Sequence, residues 1–213
     1  MTTIAIIDYE VGNIRSIFSA FEKVGAKPKL TRDRQEIMGA NGVVLPGVGA
    51  YSHGMDKLRE YGLDNVVKDF AATGKPVLGI CLGMQLLLSE SEEFGRTEGL
   101  GLIPGSVKKL NLLDPKVQKL PHVSWSELQV PKGMSWDGTI LEGLAYDEDM
   151  YFVHSFMAVP ESESHVISLT SYSDSLFCSS VKNGHVYGCQ FHPEKSADEG
   201  LKIISNFIRI CEV

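Results

Sequence analysis

Val77-Leu-Gly-Ile-Cys81-Leu-Gly-Met-Gln-Leu-Leu-Leu88 is the stretch whose reading decides the fold. Val77–Ile80 is an apolar run of strand length, and Leu82–Leu88 reads as a helix directly behind it. Between them, Gly79-Ile80-Cys81-Leu82-Gly83 has the form Gly-x-Cys-x-Gly. A strand that turns sharply into a helix across such a sequence is a nucleophile elbow, with Cys in place of Ser. The glycines remove side chains where strand and helix crowd together. The strained turn then projects the sulfur at the C-terminal end of the sheet. The positive end of a helix beneath it favours an anion, and the anion is the nucleophile. The N–H of Leu82 points to the reacting centre and is a ready oxyanion donor. Taken alone, the motif is better read as a small buried hydrophobe, because free cysteine is often core.

Working outward, the first part of the chain alternates apolar runs with helical patterns. Thr3–Asp8 reads as a buried strand. Ile14, Ile17, Phe18, Phe21 and Val24 fall at helical spacing, with Gly25 as the stop. Lys29–Thr31 fits a short strand, and Val43-Val44-Leu45 a strand ending at Pro46. Met55, Leu58 and Leu63 to Phe70 mark another helix, interrupted near Gly62. Strands alternating with helices imply βαβ units and a parallel sheet. From Ser106 to about Val181, short alternating runs separated by Asp, Pro, Gly and Ser predict strands and hairpins. That segment either extends the parallel sheet or caps one edge of it. Val186–Phe191 is a strand again, and Leu201, Ile204, Ile208 and Cys211 share one face of a last helix. The expected fold is an α/β three-layer sandwich. It has a central, mostly parallel sheet, a nucleophile elbow, and antiparallel strands in the middle of the chain. Residues 1–213 read as a single domain.

A thiolate wants a base, and the base wants an orienting group. Gln190-Phe191-His192-Pro193-Glu194 supplies both at a strand end. Residues i and i+2 of an extended chain share a face, so His192 and Glu194 can stand side by side. A carboxylate beside an imidazole fixes its tautomer and stabilises the imidazolium. A lone His-Pro-Glu is better read as a solvated loop; with an elbow cysteine on a parallel sheet it is not. Pro46-Gly47-Val48-Gly49-Ala50-Tyr51 follows a strand but matches no phosphate-binding loop. On local sequence it is first a plain turn, and second a glycine strand able to present N–H groups to an oxyanion.

The bulk properties narrow the classes further. The chain has 213 residues and a net charge of −7, with no dense Lys/Arg block. A nucleic-acid or anionic-membrane role therefore lacks electrostatic support. The start lacks the pattern of a signal peptide, and no stretch approaches the ~18 apolar residues of a membrane span. Four cysteines without a CxxC pair argue against a zinc knuckle or a disulfide framework and fit a reducing cytoplasm. No histidine pair sits at metal-ligand spacing, so no metal is expected. Cys178, Cys189 and Cys211 read as core.

At this point the motifs resemble a known family. Gly79-Ile-Cys-Leu-Gly-Met-Gln85 is similar to the nucleophile motif of class I, triad-type glutamine amidotransferases. Pro46-Gly-Val-Gly-Ala-Tyr51 resembles their oxyanion strand, and Gln190-Phe-His-Pro-Glu194 their His/Glu motif. Four further stretches resemble the branch that serves imidazole glycerol phosphate synthase in histidine biosynthesis. They are Ile7-Asp-Tyr-Glu-Val-Gly-Asn13, Gly99-Leu-Gly-Leu-Ile-Pro-Gly105, Pro121-His-Val-Ser-Trp125 and Tyr151-Phe-Val-His-Ser-Phe156. The resemblance runs from about residue 4 to 209.

It implies that Cys81 forms a γ-glutamyl thioester, with His192 as base and acid and Glu194 as its orienting carboxylate. It implies an oxyanion hole from Leu82 and from Val48-Gly49, and a glutamine pocket from Gln85 and the backbone at Gly47, Ser155 and Phe156. The glycine strand of such enzymes rests with a carbonyl turned inward and flips on a partner's signal. Asn13, His122 and Trp125 resemble positions that meet a TIM-barrel cyclase subunit, which takes up the ammonia in a heterodimer and makes imidazole glycerol phosphate and AICAR. No metal or organic cofactor is implied. The sequence departs from the pattern at Glu10, where Gly is usual, at Ser124-Trp125-Ser126 for Gly-Trp-Asn, and at Phe156 for Tyr. None of these touches the triad. Alternatives are the same chemistry serving another synthase, such as that of pyridoxal phosphate, a noncatalytic binding relative, and a cysteine peptidase or chaperone of similar fold.

Overall fold

The computed structural model describes residues 1–112, 119–173 and 175–212. Four strands of the first part are β1 (Thr3–Ile7), β2 (Lys27–Thr31), β3 (Gly42–Leu45) and β4 (Val77–Ile80). They lie parallel in the order β2-β1-β3-β4. The helices between them are α1 (Ile14–Lys23), α2 (Arg34–Gly39), α3 (Tyr51–Glu60) and α4 (Leu63–Ala72), followed by α5 (Leu82–Leu86). Gly62 takes the left-handed conformation that divides α3 from α4, where the sequence shows its interruption.

Strand alternation sorts the apolar side chains into two cores. Ile4, Ile6, Val44, Leu78 and Ile80 face one side, with Phe21 of α1 and Phe207 of the last helix. Ala5, Ile7, Val43, Leu45 and Val77 face the other, with Ile37, Met55, Leu58 and Phe70. The period of two in the strands thus makes both faces apolar, as a sheet covered by helices on both sides requires. Phe21 and Phe207 meet edge to face with centroids 6.3 Å apart, tying α1 to the C-terminal helix.

The remaining strands are β5 (Leu88–Ser91), β6 (Thr97–Glu98), β7 (Ile103–Lys109), β8 (His122–Glu127), β9 (Asp149–His154), β10 (Phe156–Pro160), β11 (Val166–Tyr172), β12 (Ser175–Asn183) and β13 (Val186–Cys189). β13 continues the parallel sheet beside β4. β12 then runs antiparallel to β13, and β10, β7, β5 and β6 extend the same sheet. Of the two placements open for the middle of the chain, extension is the one adopted. β8 and β9 form a separate antiparallel ribbon. The last helix, α6 (Ala197–Ile210), buries Ile204 and Ile208 and leaves Cys211 buried at its C-cap.

Two details differ from the sequence reading. The elbow helix stops at Leu86, because Leu88 pairs with Ile103 as the start of β5. Tertiary pairing overrides the helical pattern of the leucine run. α2 was not foreseen; its cap is Asp33, whose carboxylate accepts the Glu36 N–H at 2.9 Å. No helix among the described residues is long and apolar enough to cross a membrane.

Candidate active site

The parallel register brings three loops to one end of the sheet. Leu45 pairs with Gly79 and Ile80 with Cys189, so Pro46, Cys81 and Gln190 leave neighbouring strands side by side. That is where open α/β sheets place their sites. Cys81 itself has φ 54° and ψ −110°, a conformation that costs an ordinary residue roughly 1–3 kcal/mol. Its N–H donates to Cys189 O at 2.8 Å, which anchors the strained turn to β13. The flanking glycines are required by close approach. A Cβ on Gly79 would lie 2.6 Å from Gly83 O, and one on Gly83 only 1.8 Å from Leu45 O. Leu82 opens α5, so its N–H has no partner within the helix.

His192 and Glu194 stand as the i, i+2 pattern requires. Nδ1 and Oε1 are 2.8 Å apart, and the two side chains are 2% and 0% exposed. The His192 N–H donates to Tyr151 O, and Ser196 Oγ donates to His192 O, so the loop is fixed from both sides. Burial works against charge on this ring, but the Cys81 thiol and the Glu194 carboxylate outweigh it and hold the imidazole up at about 9. Nε2 is buried and closes no hydrogen bond of normal geometry. The thiol therefore acts on the ring as a neighbour poised just outside bonding geometry, as is common before substrate arrives. Sγ also lies 3.9 Å from Val153 O and 3.8 Å from Gln190 Nε2.

A cavity of about 290 Å³ opens in front of the sulfur. Val48, Gly49, Leu82, Gln85, Ser155 and Phe156 all line it, as the sequence reading expects. His192 and Glu194 lie behind the thiol and not on the cavity wall. Gly47 is buried beside Leu82, and Gly49 holds φ +103° at the exposed rim. Gln85 donates to Phe156 O at 3.0 Å and to Gln190 Oε1 at 2.9 Å. The Ser155 carbonyl is already taken by the Leu110 N–H.

Pro121, Val153 and His154 also line the cavity, and two further residues at the site, Glu93 and Gln190, carry no role in the sequence reading. Glu93 is the one acid among the lining residues, and its carboxylate accepts the Tyr51 N–H at 2.7 Å. Gln190 is fully buried and bridges Gln85 to the sulfur. A polar residue between apolar Cys189 and Phe191 was the available signal for Gln190. Glu93 sits in an acidic turn that reads as plain surface.

Asn13 is exposed, and Trp125 is 49% exposed on β8 beside Val123 at 52%. Trp125 thus stands on a strand, in keeping with the strands and hairpins expected of this segment. His122 is fully buried behind that strand, so it is not part of the surface the chain offers. Glu10 has φ +65°, which explains why Gly suits the position; here its carboxylate lies 3.6 Å from both Arg32 and Lys57. The four cysteines are free and buried. No cluster of three or more candidate metal ligands occurs among the described residues.

Residues 5–211 match the glutamine amidotransferase class-I family. The chain is 44% identical over 213 residues to the imidazole glycerol phosphate synthase subunit HisH 1 of Legionella pneumophila (strain Lens), covering 99% of this chain and 100% of that one. It is 46% identical over 204 residues to the HisH subunit of Listeria monocytogenes serotype 4a, covering 96% and 94%. Solved structures share the fold. PurLQS from Thermotoga maritima superposes with a TM-score of 0.74 at 20% identity, covering 98% of this chain and 99% of that one. A second solved structure, of a glutamine amidotransferase, superposes at 0.74 and 20% identity, covering 99% of each chain. The chain belongs to the class-I glutamine amidotransferases, in the branch of the HisH subunits of imidazole glycerol phosphate synthase.

Proposed function

We propose that the chain is a glutaminase of the cytoplasm, acting as one amidotransferase domain that feeds ammonia to a cyclase subunit in histidine biosynthesis. The carrying observation is the buried His192–Glu194 pair at 2.8 Å, with an unpartnered Nε2 behind a thiol on a strained turn. Cys81 attacks the side-chain amide carbon of glutamine as the thiolate, its proton resting on His192. A C–S bond forms and the carbonyl oxygen becomes an oxyanion. Leu82 N–H and an N–H of the Val48-Gly49 segment receive that charge, each contributing about 2.7–4 kcal/mol to the barrier. An imidazole held up at about 9 is an imidazolium at neutral pH, so it gives its proton to the departing nitrogen as the C–N bond breaks. Neutral His192 then takes a proton from water, which attacks the thioester and releases glutamate.

The cavity supports glutamine as the substrate. Gln85 and the peptides at Ser155 and Phe156 form its wall, with Gly47 buried beside Leu82 and off the wall, and the Glu93 carboxylate suits the substrate's α-ammonium group. The exposed pair Val123 and Trp125, with Asn13, supports docking of a TIM-barrel cyclase in a heterodimer, since a paired apolar patch on a strand marks an interaction surface. An enzyme that fired without its partner would waste glutamine, so low basal turnover and strong stimulation are expected. Labelling by a diazoketone glutamine analogue tests the chemistry directly. Modification confined to Cys81 and absent in Cys81→Ala supports it; no modification of folded protein refutes it.

A further inference from the structure

β8 presents its two faces to different surroundings. Val123 and Trp125 point outward, while His122, Ser124 and Ser126 point inward. The inward side chains join a continuous chain of hydrogen bonds. His122 Nε2 lies 2.8 Å from Ser124 Oγ and 3.0 Å from Ser126 Oγ. His122 Nδ1 lies 3.0 Å from His154 Nε2, and His154 Nδ1 lies 2.9 Å from Phe156 O. That same carbonyl accepts the side-chain N–H of Gln85.

The last partner sets the direction of the whole chain. A carbonyl only accepts, so His154 carries its proton on Nδ1 and its Nε2 is an acceptor. His122 must then donate from Nδ1, which makes its Nε2 an acceptor for a serine hydroxyl. One proton order satisfies every member without any charge. A charge on either ring would instead sit among buried aromatic rings, with no carboxylate among its hydrogen-bond partners. Burial reinforces this by pushing both rings down to about 4. His122 is also held between the Tyr172 and Phe152 rings, with centroids 4.0 and 5.1 Å away, and His154 packs on Phe177 at 4.8 Å. Neither ring can turn without losing both stacking and hydrogen bonds.

We infer that His122 and His154 are positioning residues, a neutral, proton-ordered relay that fixes the Phe156 carbonyl and the Gln85 amide in the cavity from the inner faces of β8 and β9. His154 also stands on the cavity wall, whereas His122 lies buried away from it, so the His122 variants read the relay alone. This inference rests on reading the cavity as the glutamine pocket.

The test combines a spectrum with kinetics. In protein labelled with ¹⁵N-histidine, both rings are expected as neutral Nδ1–H tautomers at pH 7. A charged ring, or an Nε2–H tautomer at either position, overturns the relay. In the complex with its cyclase subunit, His154→Leu should raise the KM for glutamine about five- to tenfold, the worth of one hydrogen bond, with kcat nearly unchanged. His154→Asn places an amide nitrogen where Nδ1 stands, and should restore most of that loss. His122→Leu should act in the same direction, and His122→Asn should repair it. Melting temperatures separate this from unfolding, since the Asn variants keep the donor while losing as much ring packing as the Leu variants. An unchanged KM in the Leu variants overturns the inference. If wild type neither hydrolyses glutamine nor reacts with the diazoketone, the functional reading fails instead, and the tautomers still decide the relay.

Discussion

Replacing Glu194 with glutamine keeps the shape of the side chain and removes its charge. In the native site the imidazole of His192 is raised from 6.5 to about 9 although burial opposes it. That rise corresponds to about 3 kcal/mol in favour of the imidazolium, supplied jointly by the thiol and the carboxylate. With the carboxylate gone, burial and Cys81 alone remain, and the ring should titrate below its native position. Turnover should fall with it. The equivalent amide substitution in a serine-type triad costs about 10⁴-fold, and a loss of about 10²–10⁴-fold is expected here. The perturbation also carries a definite pH signature. The folded ring binds its proton more tightly than the unfolded one. Its contribution to stability is therefore complete below pH 6.5 and is lost as pH rises through about 9. The urea-melt difference between wild type and Glu194→Gln should shrink across that window. The assays are an NMR titration of His192, glutamate release with the cyclase subunit, and paired urea melts. A His192 that still titrates near 9 in the variant would refute the reasoning, because the carboxylate would then not be what holds the ring.

Gly83→Ala should fail to fold or lose about 3 kcal/mol or more in urea melts, since the new methyl would lie 1.8 Å from Leu45 O. Gly49→Ala is the converse. Nothing lies within 4 Å of its added carbon, but φ is +103°. It should therefore lose about 1–3 kcal/mol in urea melts through backbone strain alone, while losing about 10²-fold in turnover, the worth of one oxyanion donor. Glu93→Gln should raise the KM for glutamine about 10- to 100-fold, the range of a charge-assisted hydrogen bond, with less effect on kcat. Initial-rate kinetics in the presence of the cyclase subunit check both.

Much of the site is legible in the residues because its constraints are local. Gly79 and Gly83 flank Cys81 because backbone atoms occupy the space of a side chain, and that need is visible as a spacing. His192 and Glu194 share a face because an extended chain repeats every two residues. Glu93 and Gln190 escaped because their roles depend on what other strands bring near them. The Asp33 to Glu36 cap of α2 was a readable signal in a helix too short and polar to show a periodic face. Leu86 to Leu88 misleads in the other direction, as an apolar run fits helix and strand alike until β7 arrives to pair with it. His122 reads as an interface residue beside Trp125, but strand alternation turns it to the inside, and only the antiparallel pairing of β8 with β9 sets it opposite His154.

The central claim is that this site releases ammonia from glutamine for a cyclase partner. The most direct test is glutamate release from glutamine by the chain alone, with a purified cyclase subunit, and with that subunit plus its nucleotide substrate. Weak release by the chain alone and strong stimulation in the third arm, abolished by Cys81→Ala, are expected. Silence in all three arms from folded protein, or full release by the chain alone, would contradict the claim.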